Sequence, residues 1–171
     1  MLFAARFIFP RISHKAMSPD AEALLQDLKD ADSDVRQAAT EALWRLWYSQ
    51  MGAYGVQLLA RSQKLLEADK FNEVEDILTE ALQGMPDFAE AWNRRAVLYY
   101  IQKRYREAIA DCEKAIALVP YHFGALHGLG LCHMSLGHYI AAIQAFRRAL
   151  EVQPFATINE RLILECTARL N

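Results

Sequence analysis

The sequence predicts an all-α fold: a right-handed α-α superhelix, or solenoid, of short helical hairpins with capping helices at both ends. Three observations predict it. Prolines 86, 120 and 154 recur at a spacing of 34 residues, each five residues after an alanine: Ala81, Ala115 and Ala149. Units cut at 55–88, 89–122 and 123–156 align at many further positions without gaps. The chain has 171 residues, 53% of them apolar and 23% charged, enough to bury a core without disulfides or metals. A fixed period of this length marks units that bury their apolar faces only by stacking on one another.

Each aligned position has a physical task. The aromatics Phe71, Tyr105 and Tyr139 precede the second helix of each hairpin and plug its turn. Ser62, Ala96 and Gly130 are small where the two helix axes approach, while Leu58, Trp92 and Leu126 are large where they diverge. Leu65, Tyr99 and His133 fall late in the first helix; Val74, Ala108 and Ala142, then Leu78, Cys112 and Phe146, fall in the second. The prolines end the second helix, because proline lacks the helical N–H. Gly84 and Gly137 stand at helix ends, where glycine adopts a left-handed conformation without strain.

Over residues 55–156 this pattern resembles the tetratricopeptide repeat (TPR) family, most plainly in AEAWNRRAVLYY (89–100) and YREAIADCEKAIALVP (105–120). Arg61 and Arg95 depart from it, standing where the family usually has leucine, and His133 stands at a usual tyrosine position. These departures are expected to loosen helix packing.

Segment 157–170 reads as a C-terminal capping helix, with Leu162, Cys166 and Leu170 on one stripe. Segment 18–51 reads as an N-terminal helical hairpin cap. Ser18-Pro19 opens its first helix, Leu24, Leu25 and Leu28 face inward, and a turn follows over 30–33. Its string DLKDADSDVRQAATEALWRL is similar to a HEAT repeat around Asp34-Val35-Arg36. Trp44, Trp47 and Tyr48 form an aromatic group expected to dock on the first repeat, with Gly52 and Gly55 at the joint.

Residues 1–17 carry Arg6, Arg11 and Lys15 with no acid before Asp20, and Arg6 and Pro10 break the apolar run. They read as a disordered arm or a targeting remnant, with Met17 as an alternative start. The expected location is cytoplasmic, or a chloroplast or mitochondrial interior if the segment is part of a transit peptide. No run approaches the length of a membrane-spanning helix. A net charge of −2 gives no general attraction to nucleic acid or anionic membranes. Cys112, Cys132 and Cys166 are odd in number and lack metal-ligand spacing, so they read as buried small hydrophobes in a reducing compartment.

The resemblance implies a concave groove lined by the first helix of each repeat, which takes peptides or helices. Carried over position by position, the partner-binding residues are Leu59, Gln63, Asn93, Arg94, Val97, Tyr100, His127, Leu131 and Met134. Val56, Leu66, Glu67, Glu90, Ile101, Gly124 and Ser135 share the lining. The lining is largely apolar, so the expected partner is an apolar or amphipathic protein segment; the opposing reading has the cap helices filling the groove. Some family members clamp the acidic C-terminus of chaperones with cations and amides. The matching positions here are Leu59, Gln63, Arg94, Gly124 and Gly128, only one of them charged, which speaks against that role. Arg94, Arg95, Lys103, Arg104 and Arg106 form a basic turn that either pairs with Glu107 and Asp111 or meets an acidic partner.

No enzyme is indicated. His122, His127, His133 and His138 cluster in sequence, but His127 and His133 fall on different faces of one helix and the others fall in turns. No phosphate loop, nucleophile–base pair or matched acid–base pair is present, so no metal or other cofactor is expected. The function expected is that of an interaction scaffold or assembly factor. The alternatives are a self-associating structural protein (a homo-oligomer), a membrane-associated assembly factor and, more remotely, a metal-dependent enzyme using the His-rich third repeat.

Overall fold

The computed structural model describes residues 19–170. The readings of residues 1–17 and of Ser18 as a helix cap lie outside that range. The described residues form nine helices: α1 (Pro19–Asp27), α2 (Ser33–Tyr48), α3 (Gly52–Glu67), α4 (Phe71–Gly84), α5 (Ala89–Ile101), α6 (Tyr105–Leu118), α7 (Phe123–Ser135), α8 (Tyr139–Val152) and α9 (Thr157–Ala168). Helices α3 to α8 pair as three consecutive hairpins, and α9 packs on the last of them.

The same turn closes each hairpin. Asp69, Lys103 and Gly137, again 34 residues apart, have φ of 56°, 61° and 75°. The next residue's N–H reaches back five positions: Lys70 to the Leu65 carbonyl (2.9 Å), Arg104 to Tyr99 (2.8 Å) and His138 to His133 (2.9 Å). This left-handed cap ties off free helical carbonyls and turns the chain into α4, α6 and α8. Only the third turn has glycine at the strained position. Gly84, expected to act in the same way, is the last residue of α4 and has no positive φ.

The second and third hairpins and α9 stack on the unit before them through one face of α5, α7 and α9. Ala91 and Leu98 of α5, Ala125, Leu129 and Cys132 of α7, and Cys166 of α9 are buried against the preceding unit. The matching residues of α3 are Gln57, Arg61 and Lys64, and all three are exposed. Arg61 therefore departs from leucine where none of the described residues stacks on it. Arg95, at the same repeat position, is held inside the stack: its guanidinium bonds both Asp111 carboxylate oxygens (2.7 and 2.9 Å) and Thr79 Oγ1 (3.0 Å), and lies 5.0 Å from the Trp92 ring centre. Instead of loosening the packing, it joins α4, α5 and α6.

The three cysteines are free and buried. The Cys112 thiol donates to the Cys132 sulfur, which with burial pushes Cys112 up and pulls Cys132 down, and burial pushes Cys166 up.

The small residue of the third hairpin sets a sharp limit. A β-carbon on Gly130 would strike three atoms of the fully buried Phe146 ring. Gly130→Ala is expected to lower stability by about 1–3 kcal/mol in urea unfolding, despite alanine's better helix propensity. Gly84→Ala, with nothing within 4 Å of the new methyl, is expected to be neutral or slightly stabilising in the same measurement.

Candidate functional site

The site is shaped by where α2 lies. Asp32 caps it, accepting the Asp34 N–H at 2.8 Å, and its apolar residues Ala39, Leu43 and Trp47 bury against Leu28, just past α1, and Phe123. The hairpin does not stack on α3 as a preceding unit. Instead α2 runs across the loops that join successive hairpins, in reverse order. Gln50, just past its end, donates to the Asp87 carbonyl at 2.8 Å. Trp47 stacks on His122, with ring centres 4.1 Å apart and planes 14° apart, and meets Tyr121 and Phe123. Thr40 Oγ1 accepts from Gln153 at 3.2 Å, and the Arg36 guanidinium lies 4.1 Å over the Phe155 ring. The aromatic group expected on the first repeat is thus divided. Tyr48 packs there, while Trp44 and Trp47 reach the start of α7.

Beneath α2 sits a carboxylate with no solvent exposure, Glu90. Its Oε1 accepts from Arg94 Nε at 2.8 Å, and its Oε2 accepts from Asn93 Nδ2 at 3.0 Å and lies 3.1 Å from His122 Nε2. His122 Nδ1 accepts the Ala125 N–H at 3.2 Å, which caps α7 and assigns the ring proton to Nε2, pointing at Glu90. Arg94 also donates to Tyr48 Oη and Gln63 Oε1. Burial works against the Arg94 charge, but the Glu90 and Tyr48 oxygens outweigh it and hold its pKa up.

The nine residues expected to bind a partner separate into three groups. Leu59 is core, 2% exposed, and Asn93, Arg94 and Gln63 are committed to the network under α2. His127 turns towards α9, its Nδ1 2.7 Å from Asn159 Oδ1. Val97, Tyr100, Leu131 and Met134 lie beyond, with Leu66 and Ile101. Val97 and Ile101 are 41% and 46% exposed, and the other four are half-buried. The groove has a covered polar half at the starts of its helices and an open apolar half towards their ends. The basic turn is largely neutralised: Arg104 meets Glu75 (2.6 Å) and Glu107 (3.1 Å), holding the Glu75 carboxyl below its usual range.

Reasoning from sequence assigned no role to His122 in particular. The available signal was its place directly before α7, where α3 has Met51, α5 has Phe88 and α9 has Ala156. Among the described residues no three His, Cys, Asp or Glu converge as a metal site, and no helix is long and apolar enough to cross a membrane.

Removing the buried carboxylate strands Arg94 and His122. Glu90→Ala is expected to lower stability by about 3 kcal/mol in urea unfolding and to loosen Trp47, read as a change in tryptophan fluorescence below the unfolding transition. A second expectation concerns pH. His133 Nδ1 is buried without a partner among the described residues, and its ring centre lies 5.8 Å from that of His138. Burial first, and then His138, pull the His133 pKa below its ordinary value. The unfolded chain therefore takes up this proton more readily than the folded one. The contribution to stability is complete above a pH of about 6.5 and is lost as pH falls through the lowered value. The urea midpoint should drop between about pH 7.5 and 5.5. The drop should be smaller for His133→Phe.

The tetratricopeptide repeat family model matches residues 87–154. A TPR repeat-containing protein of Rhizobium etli is 33% identical over 111 residues, covering 64% of this chain and 54% of that protein; the chain thus spans about half of that relative. Among solved structures, the first TPR of Spaghetti (RPAP3) bound to the HSP90 peptide SRMEEVD superposes with a TM-score of 0.65 at 23% identity, covering 67% of this chain and 91% of that one. A MamA double mutant superposes with a TM-score of 0.63 at 17% identity, covering 91% of this chain and 88% of that one. Residues 87–154 of this chain are a tetratricopeptide-repeat segment within an all-α helical-repeat solenoid.

Proposed function

We propose that the chain is a protein-interaction scaffold that holds an apolar or amphipathic partner segment in the open half of its concave face. The observation that carries this reading is the apolar strip Leu66, Val97, Tyr100, Ile101, Leu131 and Met134, which crosses three hairpins with Val97 and Ile101 open to solvent. Apolar side chains grouped on a concave face and open to water are maintained for a partner or promote aggregation. The strip crosses three helices, which suits one short helix or an extended peptide.

The likeness to a domain bound to an HSP90 peptide supports peptide binding in general, and the chemistry here favours a different peptide. SRMEEVD carries three acids, and holding them needs free cations. Of the positions that resemble a carboxylate clamp, only Arg94 is cationic, and Glu90, Tyr48 and Gln63 already occupy it. Gly124, another of those positions, lies under Trp44.

The immobilised full chain should retain a partner from native extract, and that partner's segment should bind with a Kd of about micromolar in calorimetry. Val97→Asp combined with Ile101→Asp should keep the same helical circular dichroism and weaken that binding at least about tenfold. If both proteins retain the same partner with equal affinity, the open strip is not the binding surface.

A further inference from the structure

The covered half of the groove carries a separate reading, independent of the open strip. We propose that the starts of α5 and α7 form a helix-binding seat, held in cis by α2, which accepts in trans an amphipathic helix with aromatic residues spaced three apart, as Trp44 and Trp47 are.

Four observations lead there. First, α2 is not part of the stack. The face of α3 where a preceding unit would pack shows Gln57, Arg61 and Lys64 to solvent, so the repeats are capped by their own sequence. Second, the floor is complete without α2. Glu90 is matched by Asn93, Arg94 and His122, and His122 Nδ1 by Ala125, all of them outside the hairpin. Departure of α2 therefore breaks no pairing of the buried carboxylate. Third, docking leaves a donor unmatched. Trp47 Nε1 is buried with no hydrogen-bond partner among the described residues, so the docked state carries a penalty that the released state, open to water, does not. Fourth, the seat is cut to admit an aromatic ring. A β-carbon on Gly124 would lie 2.7 Å from Trp44 Cη2, so the ring rests where only glycine leaves room.

The surrounding contacts suit exchange. The Gln50 bond is exposed, where water replaces it readily, and Arg36 and the Thr40–Gln153 pair are half-buried at the rim. The connection to α3 is a single turn ending at Gly52, whose φ of 62° puts it in the region where glycine is least strained. Stacking of Trp47 on His122 supplies most of the specificity, because it requires a flat ring at one register of the helix. The occupant this chemistry selects is an apolar–aromatic helix, with Tyr or another hydroxyl one residue after the second aromatic to accept from Arg94, as Tyr48 does.

The test uses a fluorescein-labelled peptide of residues 33–50, SDVRQAATEALWRLWYSQ, titrated into the full chain and followed by anisotropy. Trp44→Ala combined with Trp47→Ala weakens the cis helix and leaves the seat intact. That variant should bind the peptide at least about tenfold more tightly than wild type, and adding Gly124→Ala should erase the gain. Equal binding to the double variant and wild type, or a gain that survives Gly124→Ala, overturns the proposal. If the double variant loses its cooperative unfolding transition, hydrogen exchange on the wild-type chain decides. Amides of α2 exchanging at least about a hundredfold faster than those of α5 and α6 support an exchangeable helix, and equal protection makes α2 a fixed cap.

Discussion

A carboxylate cut off from water has to be surrounded by donors, and Glu90 is where this chain meets that requirement. Asn93 and Arg94 come from its own helix, and His122 comes from the loop that starts the next hairpin. Through Arg94 the same group reaches Gln63 of α3 and Tyr48 of α2. One buried charge thus joins the N-terminal hairpin and all three repeats. It also orients His122, whose ring face becomes the platform for Trp47. The course of α2 across the inter-repeat loops follows from that platform and from the bare backbone at Gly124.

The consequence is a divided concave face. A three-hairpin stack has a short groove, and α2 covers the half that holds the polar groups. What remains open is apolar, so the partner segment proposed to bind there would gain affinity mainly by removing surface from water and would find few directional bonds. Specificity then depends on the shape between α2 and the ends of α5 and α7. The two halves are adjacent, and α2 forms one wall of the open strip while it is docked.

Much of the stack was legible in the sequence because its signals are local and repeat. Turn aromatics, small residues at close approaches and terminating prolines each act within one hairpin, and stacking multiplies them at a fixed spacing. The contacts of α2 have no such signal. Trp44, Trp47 and Tyr48 stood out as an aromatic group, yet chain proximity assigned all three to the first repeat. The Trp47–His122 stack joins residues far apart in sequence that belong to no common period. Arg61 and Arg95 show the same limit. They share a repeat position and a residue type, but one faces water and the other fixes Asp111, because only one has a unit stacked before it. Groove spacing likewise put Asn93 and Arg94 in the expected lining without revealing that Glu90 already held both.

The placement of α2 is the claim on which the divided groove depends, and proton NMR of the full chain tests it most directly. In a NOESY spectrum the account predicts contacts from the Trp47 indole to the His122 ring, and from the far edge of the Trp44 indole to the Gly124 α-protons. Contacts from Trp47 to Gln57, Arg61 or Lys64 of α3 would contradict it, because they would mean that the hairpin stacks as a preceding unit and leaves the whole groove open.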